Sequence, residues 1–267
     1  MLAGVDFTCN PSKKKPVTVA IGALEGVRLR VDAIEALTTL DRFDDWLATT
    51  GPWLGAFDFP FGLPREFVDA NGLGATCTEV IAAVHARCPT RMAWRAMIDA
   101  WGNDRPPGTR LLHRHTDRAS VVSSTSPLQT RYVPVAFMYY EGVPRLIRAG
   151  VTLPGLHAGD TTRVALEGYP RRLAHALIAR RSYKNHDLPN RAGAREAIVA
   201  ALESRAPSEG GALLRLDAAM RRSLVADASG DHLDAVLCLV QAARASCRAG
   251  FGLPQGIDPV EGWIASD

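Results

Sequence analysis

The sequence predicts an α/β protein built as one domain. Three observations carry that reading. The chain opens with three short apolar strands joined by brief turns, a helix and a buried strand follow, and the last third is dominated by helical spacing that ends in a long closing helix. The 267 residues are enough for one large domain, and a hydrophobic content of 47% allows a sizeable core.

The first strand is Leu2-Ala3-Gly4-Val5-Asp6-Phe7-Thr8, and the turn Asn10 to Pro16 leads into a second, Val17 to Leu24. Glu25-Gly26 is a tight turn into a third, Val27 to Val31, so the three form an antiparallel meander. Phe43, Trp46 and Leu47 have helical spacing within Asp41 to Leu47; Asp41 suits the N-cap and Gly51-Pro52 stops the helix. Trp53 to Pro60 reads as a buried strand.

Residues 65 to about 130 read as an insertion, with helix-like pieces at Cys77 to Ala86 and Thr90 to Trp101. A basic stretch, Gly102 to Ser126, holds His113, Arg114, His115 and Arg118 and reads as a mobile, solvated loop. Val133 to Tyr140 and Val143 to Ile147 suggest a hairpin around Glu141-Gly142, and Arg163 to Glu167 a short strand. Helices are expected at Arg171 to Arg180, Arg191 to Glu203 and Leu213 to Leu224, with a loop at Pro207 to Gly211. The closing helix starts near Asp231 and runs to about Arg248, with Leu233, Val236, Leu237 and Val240 as its buried stripe.

The net charge of +3 and a sequence pI near 8.7 are only mildly basic. The five cysteines form no Cys-x-x-Cys pair and read as free thiols of a reducing compartment. With no signal-like segment and no long apolar run, the expectation is a cytoplasmic protein that does not enter a membrane.

Acids fall where elements end: Asp6 on the first strand, Asp58 after the strand that follows the first helix, Glu167 on a later strand, and Asp231 and Asp234 at the start of the closing helix. If the first and fourth strands run parallel and adjacent, Asp6 and Asp58 meet at one sheet edge, and a helix across that edge adds Asp231 or Asp234. Such hard oxygen ligands suit Mg²⁺ or Mn²⁺, and two ions about 4 Å apart serve phosphodiester cleavage. Each acid also has a structural reading. Asp6 and Asp58 suit turns, Glu167 an ion pair with Arg171 or Arg172, and Asp231 with Asp234 a capping box. Cys238 reads as a core thiol. Lys184 in Tyr183-Lys184-Asn185-His186, and His113 and His115, are weaker candidates for phosphate contact. There is no phosphate-binding loop, no dinucleotide fingerprint and no serine-nucleophile context.

Gly4-Val5-Asp6-Phe7-Thr8, Phe57-Asp58-Phe59-Pro60-Phe61-Gly62-Leu63-Pro64, Glu167-Gly168-Tyr169-Pro170, Tyr183-Lys184 and Asp231-His232-Leu233-Asp234-Ala235 occur in this order and together resemble the DUF429 family, described as predicted nucleases of the ribonuclease H-like superfamily. The resemblance covers most of the chain and is thinnest over residues 65 to 160. It implies a five-stranded mixed sheet, first three strands antiparallel, with helices on both faces. It also implies Asp6 and Asp58 as strand ligands, Asp231 or Asp234 as the closing-helix ligand, and Glu167 as an added acid. The denser acidic run usual in the family at the closing helix is interrupted here by His232 and Leu233. The expected function is a metal-dependent nuclease with nucleic acid as partner. The alternatives are a non-catalytic binding or scaffold module and a nucleotide-handling phosphotransferase of the same fold.

Overall fold

In a computed structural model the described residues are 1–106, 108–119, 122–184, 188–204 and 212–265. The expected loop at 207–211 and the Asn185-His186 part of the Tyr183 motif lie outside them. The chain forms two compact units.

The first unit comprises Met1–Asp58, Gly168–Gly252 and Ala265. It begins with strands β1 (Leu2–Asp6), β2 (Val17–Glu25) and β3 (Arg28–Leu37), helix α1 (Leu40–Leu47) and strand β4 (Trp53–Phe57). β1, β2 and β3 are the expected antiparallel meander, and β4 lies parallel to β1 in the register Val5 opposite Phe57. Two-residue periodicity then sorts the side chains. On one face Phe7 and Phe57 pack against Phe43 of α1, with ring centroids 5.2 and 6.4 Å apart. On the other face lie Leu2, Gly4 and Asp6 of β1 and Leu54 and Ala56 of β4, with Asp58 next in the alternation. α1 is capped by Thr39, whose hydroxyl accepts from the Arg42 amide, and not by Asp41.

The second unit comprises Phe59–Glu167 and Leu253–Ile264. Its elements are α2 (Arg65–Ala70), α3 (Cys77–Arg87), α4 (Arg91–Asn103), the one-turn α5 (His115–Arg118), α6 (Val135–Arg148), and strands β5 (Val151–Thr152) and β6 (Asp160–Glu167), which pair in parallel. The expected hairpin at 133–147 is instead the helix α6. Its buried Ala136, Tyr139, Tyr140, Val143 and Leu146 follow a three-to-four-residue period, which outweighs the strand preference of two tyrosines and the turn-like Glu141-Gly142. Gly142 is needed there because a Cβ would fall 2.5 Å from the Phe59 ring.

The first unit continues with α7 (Pro170–Ile178), α8 (Pro189–Ser204), β7 (Leu213–Arg215), α9 (Ala218–Ala226) and α10 (Asp231–Ser246). Leu213 to Arg215 open no helix; they pair in parallel with the edge of β3, whose free backbone groups they satisfy. In this unit the strand order is β4-β1-β2-β3-β7. Counting β5 and β6, the described residues hold seven strands and not five, because β5 and β7 are too short to show a period in the sequence.

The closing helix is buried on nearly every side, from Leu233 to Ala245, and not along a single stripe. It lies across β1, β2 and β4. A Cβ on Gly4 would fall 2.0 Å from the Ala235 carbonyl oxygen and 2.1 Å from the Leu239 amide. Glycine is what lets α10 sit directly on β1. Among the described residues no helix is long and apolar enough to cross a membrane.

Candidate metal centre

β1 and β4 end side by side, with the Asp58 amide donating to the Val5 carbonyl at 2.9 Å. That register carries Asp6 and Asp58 out of the same edge and onto the face covered by α10. The close seat of α10 on Gly4 brings Asp234 to the same place. Carboxylate oxygens of Asp6, Asp58 and Asp234 lie within 4.8 Å of one another, with Asp6 and Asp234 buried and Asp58 half-buried.

The capping-box reading of the closing helix is corrected. The N-cap is Gly230, in the left-handed region at φ 79°, and the Asp227 carboxylate accepts from the His232 amide at 2.9 Å. Asp231 is thus the first helical residue and Asp234 the fourth, so neither is consumed by capping. Asp231 is paired with Lys15 of the β1–β2 turn, Nζ to Oδ1 2.6 Å. Asp234 accepts from the Tyr183 hydroxyl at 2.6 Å through Oδ1, and its Oδ2 is in ion-pair contact with Lys184 Nζ.

Asp6 is 6% exposed, and its Oδ2, like that of Asp234, is buried and accepts no hydrogen bond. Burial pushes its carboxyl up to about 7; Lys184 opposes that rise, Asp231 and Asp58 reinforce it, and Lys15 opposes it. Opposite Asp6 on β2 stands Thr18, fully buried, whose hydroxyl oxygen also has no hydrogen-bond partner. Directly paired residues of an antiparallel ladder share a face, so Thr18 adds a neutral oxygen beside the carboxylates. Sequence reading missed it because a threonine inside a strand carries no local signal. Two adjacent buried oxygens without donors in a carboxylate cluster fit a hard cation, since a buried polar atom is otherwise costly.

Cys238 is buried and inert, its thiol raised well above the usual range by burial and by Asp58 and Asp6. Tyr183 is raised as well, first by burial and then by Asp58 and Asp6, which keeps it a hydrogen donor to Asp234.

Glu167 has a different assignment. Both its oxygens are taken within the second unit: Arg114 Nη2 to Oε1 at 2.5 Å, Nη1 to Oε2 at 2.8 Å, and the Phe61 amide to Oε2 at 2.8 Å. The ion-pair partner is Arg114, not Arg171 or Arg172. Arg114 also holds Asp117, Nη2 to Oδ1 2.8 Å, and Ser124 donates to that same oxygen at 2.5 Å. The expected solvated loop thus contains a guanidinium that is 1% exposed and anchored by two buried acids. His115 is exposed and lies near the Trp263 ring, centroids 5.6 Å apart, whereas His113 is half-buried and burial lowers its imidazole below the usual range.

No family model, no curated protein and no solved structure matches the chain.

Proposed function

We propose that the chain is a divalent-cation-dependent phosphodiesterase, a nuclease of ribonuclease H-like fold that works with Mg²⁺ or Mn²⁺. The observation that carries the reading is the unpartnered buried oxygen of Asp6 inside the Asp6–Asp58–Asp234 triad. The parallel β1–β4 pair next to an antiparallel meander, closed by α10, supports the fold assignment. Asp6, Asp58 and Asp234 would hold the ion, with Asp231 beside them. The ion would supply an activated water and charge stabilisation at a leaving oxygen. Tyr183 orients the Asp234 carboxylate through its hydroxyl. Lys15 and Lys184 give the otherwise acidic mouth ammonium groups that would attract a phosphodiester anion.

The test is a thermal melt with and without Mn²⁺ and Mg²⁺ on wild type and Asp6→Asn, followed by Mn²⁺-dependent hydrolysis of DNA, RNA and a small aryl phosphodiester. Binding to the native state raises the midpoint by mass action. The expected result is a rise in wild type that is absent in Asp6→Asn, and phosphodiester hydrolysis lost in the same variant. A second reading, a non-catalytic module, is favoured by the two ion pairs already present on Asp231 and Asp234. It requires no ion-dependent rise in wild type.

A further inference from the structure

Arg195 of α8 is 0% exposed, and among the described residues no carboxylate pairs with it. A buried guanidinium without an acid is costly to keep, so the bonds it does make need a reason. There are two, both to backbone carbonyls. Nε donates to Val225 at 2.7 Å and Nη1 to Tyr183 at 2.9 Å, while Nη2 is buried without an acceptor. The first bond satisfies a carbonyl in the last turn of α9, where the helix dipole favours a cation. That use is local and structural. The second bond falls on a residue that belongs to no helix or strand.

Tyr183 is also the residue whose hydroxyl donates to Asp234 Oδ1 at 2.6 Å, and Lys184, next in the chain, contacts the same carboxylate. The pair is seated against the start of α10: a Cβ on Gly230 would fall 2.8 Å from Lys184 Cγ and 3.5 Å from Tyr183 Cδ2. The Tyr183 ring lies in the same core cluster as Ile198 of α8 and Leu233 of α10. Packing thus holds the ring, and Arg195 holds the backbone that carries it. Arginine suits the task because its rigid planar group aims separate donors at two segments at once, which the single ammonium of a lysine does not.

We propose that Arg195 is a positioning residue of the candidate metal centre: by holding the Tyr183 carbonyl it sets where the Tyr183 hydroxyl meets Asp234. This rests on the metal-dependent reading above and deepens it, adding a residue that makes no bond to the triad itself. Groups that orient metal ligands are worth about 10–100-fold in metal affinity, and Arg195 acts through one of them.

The experiment is a double-mutant cycle, read by calorimetric titration of the full chain with Mn²⁺ on wild type, Arg195→Met, Tyr183→Phe and the double variant, with the urea midpoint of each beside it. Tyr183→Phe should weaken binding about 10–100-fold. Arg195→Met should weaken it as well, and the double variant no further than the weaker-binding single one, because both changes remove the same hydrogen bond to Asp234. Independent effects multiply instead. Arg195→Lys is the second variant: it keeps the buried charge but lacks the planar group, and it should lose affinity as Arg195→Met does. Factors that multiply in the double variant would overturn the proposal by showing a general loosening of the fold, and so would unchanged affinity in either Arg195 variant or in Tyr183→Phe. Absence of Mn²⁺ binding in wild type would overturn the metal-dependent reading itself, which sets that failure apart from a failure of the Arg195 assignment.

Discussion

Asp6 combines a strand-end position, near-complete burial and an oxygen without a donor, and each has a measurable consequence. Its carboxyl is raised from 3.8 to about 7, mainly by burial. The folded protein therefore holds a proton that the unfolded chain releases at lower pH. Between about pH 4 and pH 7 the folded state binds more protons, so stability falls as pH rises through that window. Below pH 4 both states are protonated and the contribution is fully present. Three pH units correspond to about 4 kcal/mol at 1.36 kcal/mol each. In a chelator, the urea midpoint should thus decline from pH 4 to pH 7 in wild type beyond any decline in Asp6→Asn, and the variant should be the more stable protein at pH 8. A variant that is less stable at pH 8 would show that the ionised carboxylate is satisfied within the fold. Asp6 was legible in the sequence because an acid ending an apolar strand is unusual. Thr18 was not, because its role depends on a cross-strand partner, and neither was the Glu167–Arg114 pair, whose members are 53 residues apart in sequence.

At the scale of elements, the site exists because α10 lies against β1 without an intervening side chain. The Cβ position of Gly4 is only 2.0 Å from a backbone oxygen of that helix. Backbone cannot rotate away as a side chain would, so Gly4→Ala must lift α10 or bend β1. Overpacking of this kind costs typically about 1–3 kcal/mol and more where backbone is the obstacle. The expected outcome is a lowered melting point together with loss of Mn²⁺ stabilisation, since Asp234 and Asp231 ride on the displaced helix. Gly26→Ala is the control for glycine loss: its Cβ would meet nothing within 4 Å, although its φ of 60° adds modest strain. It should keep the Mn²⁺ effect. Retention of full Mn²⁺ stabilisation in Gly4→Ala would show that the triad does not depend on this close seat. The strand-helix-strand order of the first 58 residues was readable from period and turns. α6 and β7 were not: α6 carries residues with strand preference on a helical period, and β7 has three residues whose state is decided by the open edge of β3.

At the scale of the molecule, every member of the triad belongs to the first unit, and so do Lys15, Lys184 and Thr18. An ion bound there stabilises only those conformations in which the triad is assembled. Local openings that separate β1, β4 and α10 must release the ion first, whereas an opening that leaves the triad intact does not. Hydrogen exchange should therefore report the site's location without any substrate. At a free Mn²⁺ concentration about 100 times the dissociation constant, stabilisation is about 2.7 kcal/mol, a slowing of about 100-fold for amides that exchange through such openings. The Asp58 amide, bonded to Val5, and the Asp234 amide, bonded to Gly230, are the reporters to follow. The Leu213 amide, bonded to the Val27 carbonyl at the far edge strand β7, should exchange at an unchanged rate if that edge frays by itself. Slowing at Asp58 and Asp234 that vanishes in Asp6→Asn would tie the ion to the carboxylate cluster. Slowing confined to other amides would place the ion elsewhere in the chain and leave the buried oxygen of Asp6 to be satisfied by its proton alone.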